Sequence, residues 1–457
     1  MLIACVDFGS TFTKAGLVDA ATGELVATAS HRTTIDTDVL DGWEACLEEL
    51  AAVDPAARDA DVLGCSSAGG GLRIGVVGNE ELVTAEAGRR VALSSGGRVV
   101  HVASGGLDDN RIAALRESRP DVVLLVGGTD GGNAEVLVQC AHALASSGWP
   151  GPVVVAGNVA AQHEVGALLE GAGTPFVLAD NVVPRIGVLA PDSARAAIRE
   201  MFLRHVIGGK HLSERADFTQ MVQGATPDVV LTAVELLAHG LDEERPGAGE
   251  VVVVDVGGAT TDVYSVVDVD PADSGLSREV VATVAASRTV EGDLGMRWSA
   301  LSTVEAGVVL GLLEDEAERA LAWEVAEHRQ VDPAFVPRSE DELVRDQELA
   351  SVAIGVALRR HAGRAQVVFG PDGRVVERSG KDLREADLLV GSGGVLRHSG
   401  DAGRTVMLRL LGDDGQGWQV PQRPRTLVDT DYVLAPAGLL AARHPEAAYR
   451  LLGRLRG

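Results

Sequence analysis

One pattern occurs twice in this chain, and it limits the available folds more than any other feature. DFGSTFTKAGLV begins at Asp7, and DVGGATTDVYSV begins at Asp255. Superposed, Asp7 meets Asp255, Gly9 meets Gly257 and Thr13 meets Thr261. Each copy lies between apolar runs, so each reads as strand, Gly-rich turn, strand. A solenoid would repeat every 20–50 residues or about that. These copies sit in opposite halves of a 457-residue chain. The pattern therefore implies one supersecondary unit duplicated, not a repeat array.

The surrounding signals alternate. Leu2–Val6, Ala15–Val18 and Leu25–Ser30 read as short strands, and Asp41–Leu50 as a helix. Asp61–Ser66, Leu72–Val77, Arg98–Ala103, Asp121–Gly128, Pro152–Asn158 and Pro175–Asn181 also read as strands. Helical stretches at Glu80–Leu93 and Asp109–Glu117 separate some of them. Fully apolar runs that end in glycine suit central strands buried on both faces. Strand alternating with helix gives an α/β layer with a mostly parallel core. Ser193–Val206 and Pro227–His239 read as long helices, and Leu241–Glu250, charged and then Pro/Gly-rich, as a linker. Residues 305–350 are rich in Glu, Ala and Leu and read as a helical insertion. Ala386–His398 reads as a strand ending in glycines, and Glu446–Leu455 as a helix. The expected division is a first lobe over 1–185 and a second over 186–426, with 427–457 returning to the first.

Composition removes several classes. A net charge of −26 disfavours duplex nucleic acid and anionic membranes, which would repel the chain. Cys5, Cys46, Cys65 and Cys140 form no C-x-x-C pair and have no histidine at metal-ligand spacing. They read as buried, reduced thiols of a reducing compartment. The N-terminus has no signal-peptide pattern, and no apolar run is long enough for a membrane span. A cytoplasmic protein is expected.

The repeated loops carry the chemistry. A Gly-rich turn after a strand presents backbone N–H groups. Ser10, Thr11 and Thr13 add hydroxyls and Lys14 a point charge, so the loop can cradle phosphate oxygens. Asp7 would face Mg²⁺ through water, and the ion would bridge phosphates. The second loop offers Asp255, Gly257, Gly258, Thr260, Thr261 and Asp262, the last as a second cation ligand or a water-positioning acid. Two such hairpins would hold a polyphosphate tail. Gly391, Ser392, Gly393 and Gly394 follow a buried strand and would let a base and ribose approach. Asp130, in GGTDGG, reads either as a group orienting the attacking water or as an Asx turn. Glu291 and Asp293 read as acids at a helix N-terminus near the nucleotide, or as plain N-caps. His163 and His211 have no partners at useful spacing. No P-loop, Rossmann or nucleophile-elbow motif competes.

The three loops together resemble the actin/Hsp70/sugar-kinase superfamily. DFGSTFTK would be phosphate-1, DVGGATTDV phosphate-2 and VGSGGV the adenosine motif. That resemblance implies an actin-like ATPase fold, with two lobes, duplicated ribonuclease H-like cores and Mg-ATP in the cleft. More narrowly, the chain resembles the MutL/glutamate-mutase-L family, unrelated to the mismatch-repair protein of that name. VVLLVGGTDGGN, RTVEGDLGMR and VLAPAGLLA carry this likeness with the two hairpins. It implies an ATP-dependent reactivating accessory, driven by lobe closure, of an adenosylcobalamin-dependent mutase or aminomutase. A small-molecule kinase, an iron–sulfur activator and an actin-like filament protein are the alternatives within the superfamily. The scattered cysteines count against the iron–sulfur reading.

Overall fold

The computed structural model describes residues 1–268, 285–370, 373–412 and 416–456, with 366–370 and 373–379 described through the backbone only. Two compact units divide the chain. Met1–Thr232 with Ala435–Ala448 makes one. Ala285–Leu434, with the stretch opening at Ala233 and the chain end from Tyr449, makes the other.

In the first unit β1 (Leu2–Phe8), β2 (Phe12–Asp19) and β3 (Glu24–Arg32) form an antiparallel meander. β4 (Asp61–Ser66) joins β1 in parallel. A second all-parallel sheet then intervenes, made of β5 (Leu72–Gly78), β6 (Gly97–Ser104), β7 (Val122–Leu125), β8 (Val153–Val155) and β9 (Phe176–Leu178). Its order is β6-β5-β7-β8-β9. The chain returns as β10 (Val222–Ala225), parallel to β4, and completes the order β10-β4-β1-β2-β3.

The second unit opens with a small ladder of β11 (Gly240–Asp242) and β12 (Arg245–Pro246) where the sequence suggests a linker. Asp242 accepts backbone N–H groups from Glu244 and Arg245 and closes that turn. β13 (Val251–Val256), β14 (Thr261–Val266) and β15 (Ala286–Glu291) make another antiparallel meander. β16 (Arg364–Gly370) and β17 (Gly373–Ser379) pair apart from it. β18 (Leu388–Ser392) and β19 (Arg425–Val428) extend β13 in parallel, giving β15-β14-β13-β18-β19. Three antiparallel strands followed by two parallel ones is the ribonuclease H-like order, present in both units. The duplicated actin-like ATPase core expected from the sequence is thus the fold observed.

Side-chain alternation explains the layering. On the inserted parallel sheet Ile74, Val76, Leu124 and Val154 join the core shared with the first meander. Their neighbours Val77, Leu125, Val153 and Val155 face a separate core with Leu137, Leu144 and Leu169. Successive strand residues point to opposite faces, so both faces must be covered. In the second unit Val252, Val254 and Val263 pack with Leu349, Ile354 and Leu389.

The helical insertion is longer than expected and comprises Ala300–Val309, Glu316–Val331 and Glu340–His361. A full capping box starts the last of these, with Ser339 and Glu342 satisfying each other's backbone N–H groups. Glu80–Leu93 resolves into a wide turn, closed by Ala85 N–H on the Glu80 carbonyl, and a helix over Glu86–Ser94. Among the described residues no helix is long and apolar enough to cross a membrane.

Candidate functional site

Asp7 is the last residue but one of β1, with Lys14 opposite it across the β1–β2 ladder and Cys65 beside it on β4. It is 4% exposed. The Thr226 hydroxyl donates to Asp7 Oδ1 at 2.5 Å, and Cys65 Sγ lies 3.6 Å from the same oxygen. Burial, and then the Asp7 charge, push the Cys65 thiol well above its usual value. It stays protonated and acts as a donor, not as a competing anion.

The turn that follows is built for glycine. A Cβ at Gly9 would lie 2.5 Å from the Phe12 carbonyl oxygen. Thr33 pins the turn from behind, its hydroxyl donating to the Gly9 carbonyl at 2.7 Å and its N–H to the Thr11 carbonyl at 3.0 Å. Phe8 anchors the strand end by packing edge-on against Phe218, with centroids 5.1 Å apart. Burying such a ring contributes roughly 1.5–3 kcal/mol, enough to hold a tight turn in place. Ser10 and Thr11 are exposed at the tip. Thr13 is interior, with its Oγ1 3.4 Å from Thr33 Oγ1. It lies under helix Val39–Val53, close to Gly42.

The second hairpin repeats the constraint. A Cβ at Gly257 would lie 2.8 Å from the Thr260 carbonyl oxygen, and the Gly257 N–H donates to that oxygen at 2.9 Å. Asp255 is half-buried, opposite Asp262 and beside Ser392. Thr260 is half-buried, and Thr261 is interior. Arg288 Nε donates to Asp262 Oδ1 at 2.8 Å, and its guanidinium lies 5.9 Å from the Tyr264 ring centroid. Asp262 is therefore committed to an arginine that is 5% exposed.

RTVEGDLGMR proves to be the scaffold of this hairpin. Arg288 lies on β15. Met296 N–H donates to the Gly257 carbonyl at 3.0 Å, and Arg297 N–H to the Gly258 carbonyl at 2.8 Å. The Ser299 hydroxyl donates to the Ala259 carbonyl at 2.8 Å. A side chain at Gly295 would collide with Ala259, so the close approach requires glycine there. Glu291 ends β15 and Asp293 lies in the following turn, while the helix begins only at Ala300. Arg360 Nη1 bridges them at 2.9 Å and 2.7 Å. Burial pushes the Glu291 carboxyl up, whereas the Arg360 hydrogen bond holds Asp293 down.

The glycines after β18 serve different purposes. A Cβ at Gly391 would lie 2.3 Å from Met407 Sδ, so this glycine admits a core side chain and not a base. Gly393 has φ +105°, and a Cβ there would lie 2.3 Å from the Val256 carbonyl oxygen. Ser392 is buried, and Gly394 opens to solvent. Asp130 sits after β7 of the inserted sheet. Its Oδ1 accepts from Asn181 Nδ2 at 2.9 Å and from the Val159 N–H at 3.1 Å, which is the loop-stabilising geometry.

Residues 3–455 match the family described as MutL protein. The chain belongs to the MutL family. It is 36% identical over 450 residues to Protein MutL of Clostridium tetanomorphum, covering 98% of this chain and 97% of that one. Among solved structures it is similar to an activator of 2-hydroxyisocaproyl-CoA dehydratase from Clostridium difficile with bound ADPNP. There identity is 11%, TM-score 0.35, and coverage 98% and 96% of the two chains. A gluconate kinase from Lactobacillus acidophilus gives 12%, 0.33, and 99% and 92%. At those scores the likenesses add nothing to the strand order already described.

Membership in the MutL family accounts for the span of the match but leaves individual roles to geometry. Sequence reasoning missed Thr226, Thr33 and the Arg288–Asp262 pair. Thr226 had a local signal, since a threonine before Pro227 opens a helix. Its contact with Asp7 depends on β10 returning beside β4. The carboxylates of Asp7 and Asp255 are themselves hard oxygen donors, the kind that suits Mg²⁺. Among the described residues no group of three or more His, Cys, Asp or Glu is placed to hold a metal. The four cysteines are free and buried. Burial raises Cys5 and Cys46 to about 12 and Cys140 to about 11.

Proposed function

We propose that this chain is a Mg²⁺-dependent ATPase that maintains or reactivates an adenosylcobalamin-dependent mutase or aminomutase. The observation that carries the nucleotide reading is the paired Asp-x-Gly hairpin, found at the same place in two cores of identical strand order. Each hairpin turns on a glycine that no other residue can replace without steric conflict. Each sets an aspartate one residue before the end of its central strand.

In this reading Mg²⁺ supplies positive charge to the phosphates. Asp7 and Asp255 orient its water shell. Ser10, Thr11 and Thr260 offer hydroxyls to phosphate oxygens, and Lys14 a cation. Thr226 fixes the direction of the Asp7 carboxylate. Arg288 neutralises the Asp262 charge, which lowers the repulsion between the second hairpin and phosphate. Asp130 acts as a loop anchor, and Gly394 is the exposed member of the adenosine loop. Hydrolysis removes the γ-phosphate oxygens that such a hairpin would hold, and such a loss is a standard means of releasing a switch. The mutase partner rests on MutL family membership together with the motifs noted above.

The test uses a cobalamin mutase inactivated by a tightly bound cofactor analogue. The chain is added with and without Mg-ATP, in the presence of free adenosylcobalamin. Recovery of activity only with Mg-ATP supports the reading. Phosphoryl transfer to a metabolite, with no effect on the mutase, would sink it in favour of a kinase.

A further inference from the structure

Three segments of the second unit meet at one buried carboxylate. Asp346, on helix Glu340–His361, is 2% exposed. Its Oδ2 accepts from Arg297 Nη2 at 2.8 Å, and its Oδ1 accepts from Arg329 Nε at 2.7 Å. Arg329 belongs to helix Glu316–Val331 and is 5% exposed. Phe335 lies under both arginines, its ring centroid 3.7 Å from the Arg329 guanidinium and 5.8 Å from that of Arg297. Arg297 is the same residue whose backbone N–H holds the Gly258 carbonyl. Its side chain grips the insertion while its main chain grips the hairpin. The next residue on the helix, Gln347, donates to Ser399 Oγ at 3.0 Å, and that hydroxyl donates to the Val395 carbonyl just after Gly394. Adjacent residues of one helix thus brace the second hairpin and the glycine loop after β18.

We infer that Asp346 is a positioning residue for the second hairpin, and that helices Glu316–Val331 and Glu340–His361 form the element that carries nucleotide occupancy to the surface. This rests on the nucleotide reading of the hairpin. A buried carboxylate held by two arginines is rigid, because loss of one partner leaves an uncompensated charge. Restraining the hairpin from the phosphate side therefore restrains the helices, and by reciprocity a ligand acting on the helices changes nucleotide affinity. Trp323 and Val331 on the first of these helices are 39% and 81% exposed, so the element reaches solvent.

Hydrogen exchange of the full chain, with and without Mg-ADP and a non-hydrolysable ATP analogue, tests this. In the unaltered protein, nucleotide slows exchange in helix Glu316–Val331 and in residues 340–350. In Asp346→Asn at saturating nucleotide, that slowing disappears while the hairpin stays protected, and nucleotide affinity falls about 10-fold. Arg297→Met keeps the backbone N–H and gives the same uncoupling, which covers the case of Asp346→Asn failing to fold. Glu348→Gln, on the same helix, changes neither. A purely structural Asp346 would lower stability in urea yet leave the nucleotide-dependent slowing intact, and that outcome overturns the proposal. So does a helix pair that exchanges alike with and without bound nucleotide. Calorimetry separates the two readings, since an unaltered chain that binds no nucleotide ends both, whereas binding without helix protection ends only this one.

Discussion

The two ribonuclease H-like cores share strand order, turn glycine and aspartate, yet they balance charge differently. In the first, Asp7 faces a lysine across the ladder and takes a hydroxyl and a thiol from neighbouring elements. In the second, Asp255 faces another acid, Asp262, and the neutralising cation is Arg288 one strand further out. The residue after the fifth strand differs as well. Thr226 follows β10 and bonds Asp7, whereas Asp429 follows β19 and accepts the N–H groups of Val433 and Leu434. Duplication preserved the backbone that shapes a turn. The side chains around it differ: in the first core a hydroxyl and a thiol donate to the aspartate, and in the second a buried arginine is paired with the facing acid.

The largest effect is expected where that ion pair is broken. Arg288→Met leaves Asp262 without its cation and should cost about 3–5 kcal/mol in urea denaturation. Adding Asp262→Asn to it should recover most of the loss. A cost under about 1 kcal/mol would mean that the pair behaves like an exposed one and that the contrast between the cores is superficial.

Next in size is a pH effect confined to the second core. Burial raises the Asp429 carboxyl to about 6, against 3.8 for an unperturbed aspartate. The folded state therefore holds the proton more tightly than the unfolded chain. This contribution is complete below about pH 4 and is lost as pH rises through about 6, amounting to about 3 kcal/mol at most. Chemical denaturation from pH 4 to 7 should show that decline, and Asp429→Asn should flatten it. Thr226 does not titrate, so the first core has no matching slope from this position.

Asp7→Asn should lower Mg-dependent hydrolysis about 100-fold, and Asp255→Asn about 10-fold. Asp7 is buried and fixed by Thr226, so its orientation is already set, while Asp255 is half-buried. Single-turnover hydrolysis measures both. Equal losses would show that the extra donors around Asp7 do nothing for the chemistry.

How much of this was legible beforehand follows from the range of each interaction. The hairpins were readable because Asp-x-Gly with flanking apolar runs is a local pattern, and the collision at Gly9 or Gly257 involves a carbonyl three residues away. The buried parallel strands were readable for the same reason. The hydroxyl of Thr13 suggests a phosphate contact, but alternation along β2 puts it on the face opposite Lys14, under a helix. Gly391 looked like a base platform, yet Met407 occupies its open side, a contact made only after the chain turns back. The role of Arg288 required knowing that Ala286–Glu291 is a strand beside β14, which an acidic, Gly-containing run disguised.

The smallest predicted effect concerns Lys14, and it decides what the first hairpin's cation is for. In the second core the cation is enclosed and committed to Asp262, so it cannot reach a ligand. Lys14 is half-buried, on a long flexible stem, opposite Asp7. A lysine in that position can serve phosphate as a point charge, as lysines in phosphate sites do. Lys14→Met should then weaken nucleotide binding about fivefold at low salt, with the difference shrinking as salt screens the charge. Stability should barely change, because the hairpin is held by Gly9, Thr33 and Phe8. Calorimetric titration at two ionic strengths checks both points. Unchanged affinity with a loss of stability would mean that Lys14 serves Asp7 as Arg288 serves Asp262, and the two cores would then solve one electrostatic problem in the same way.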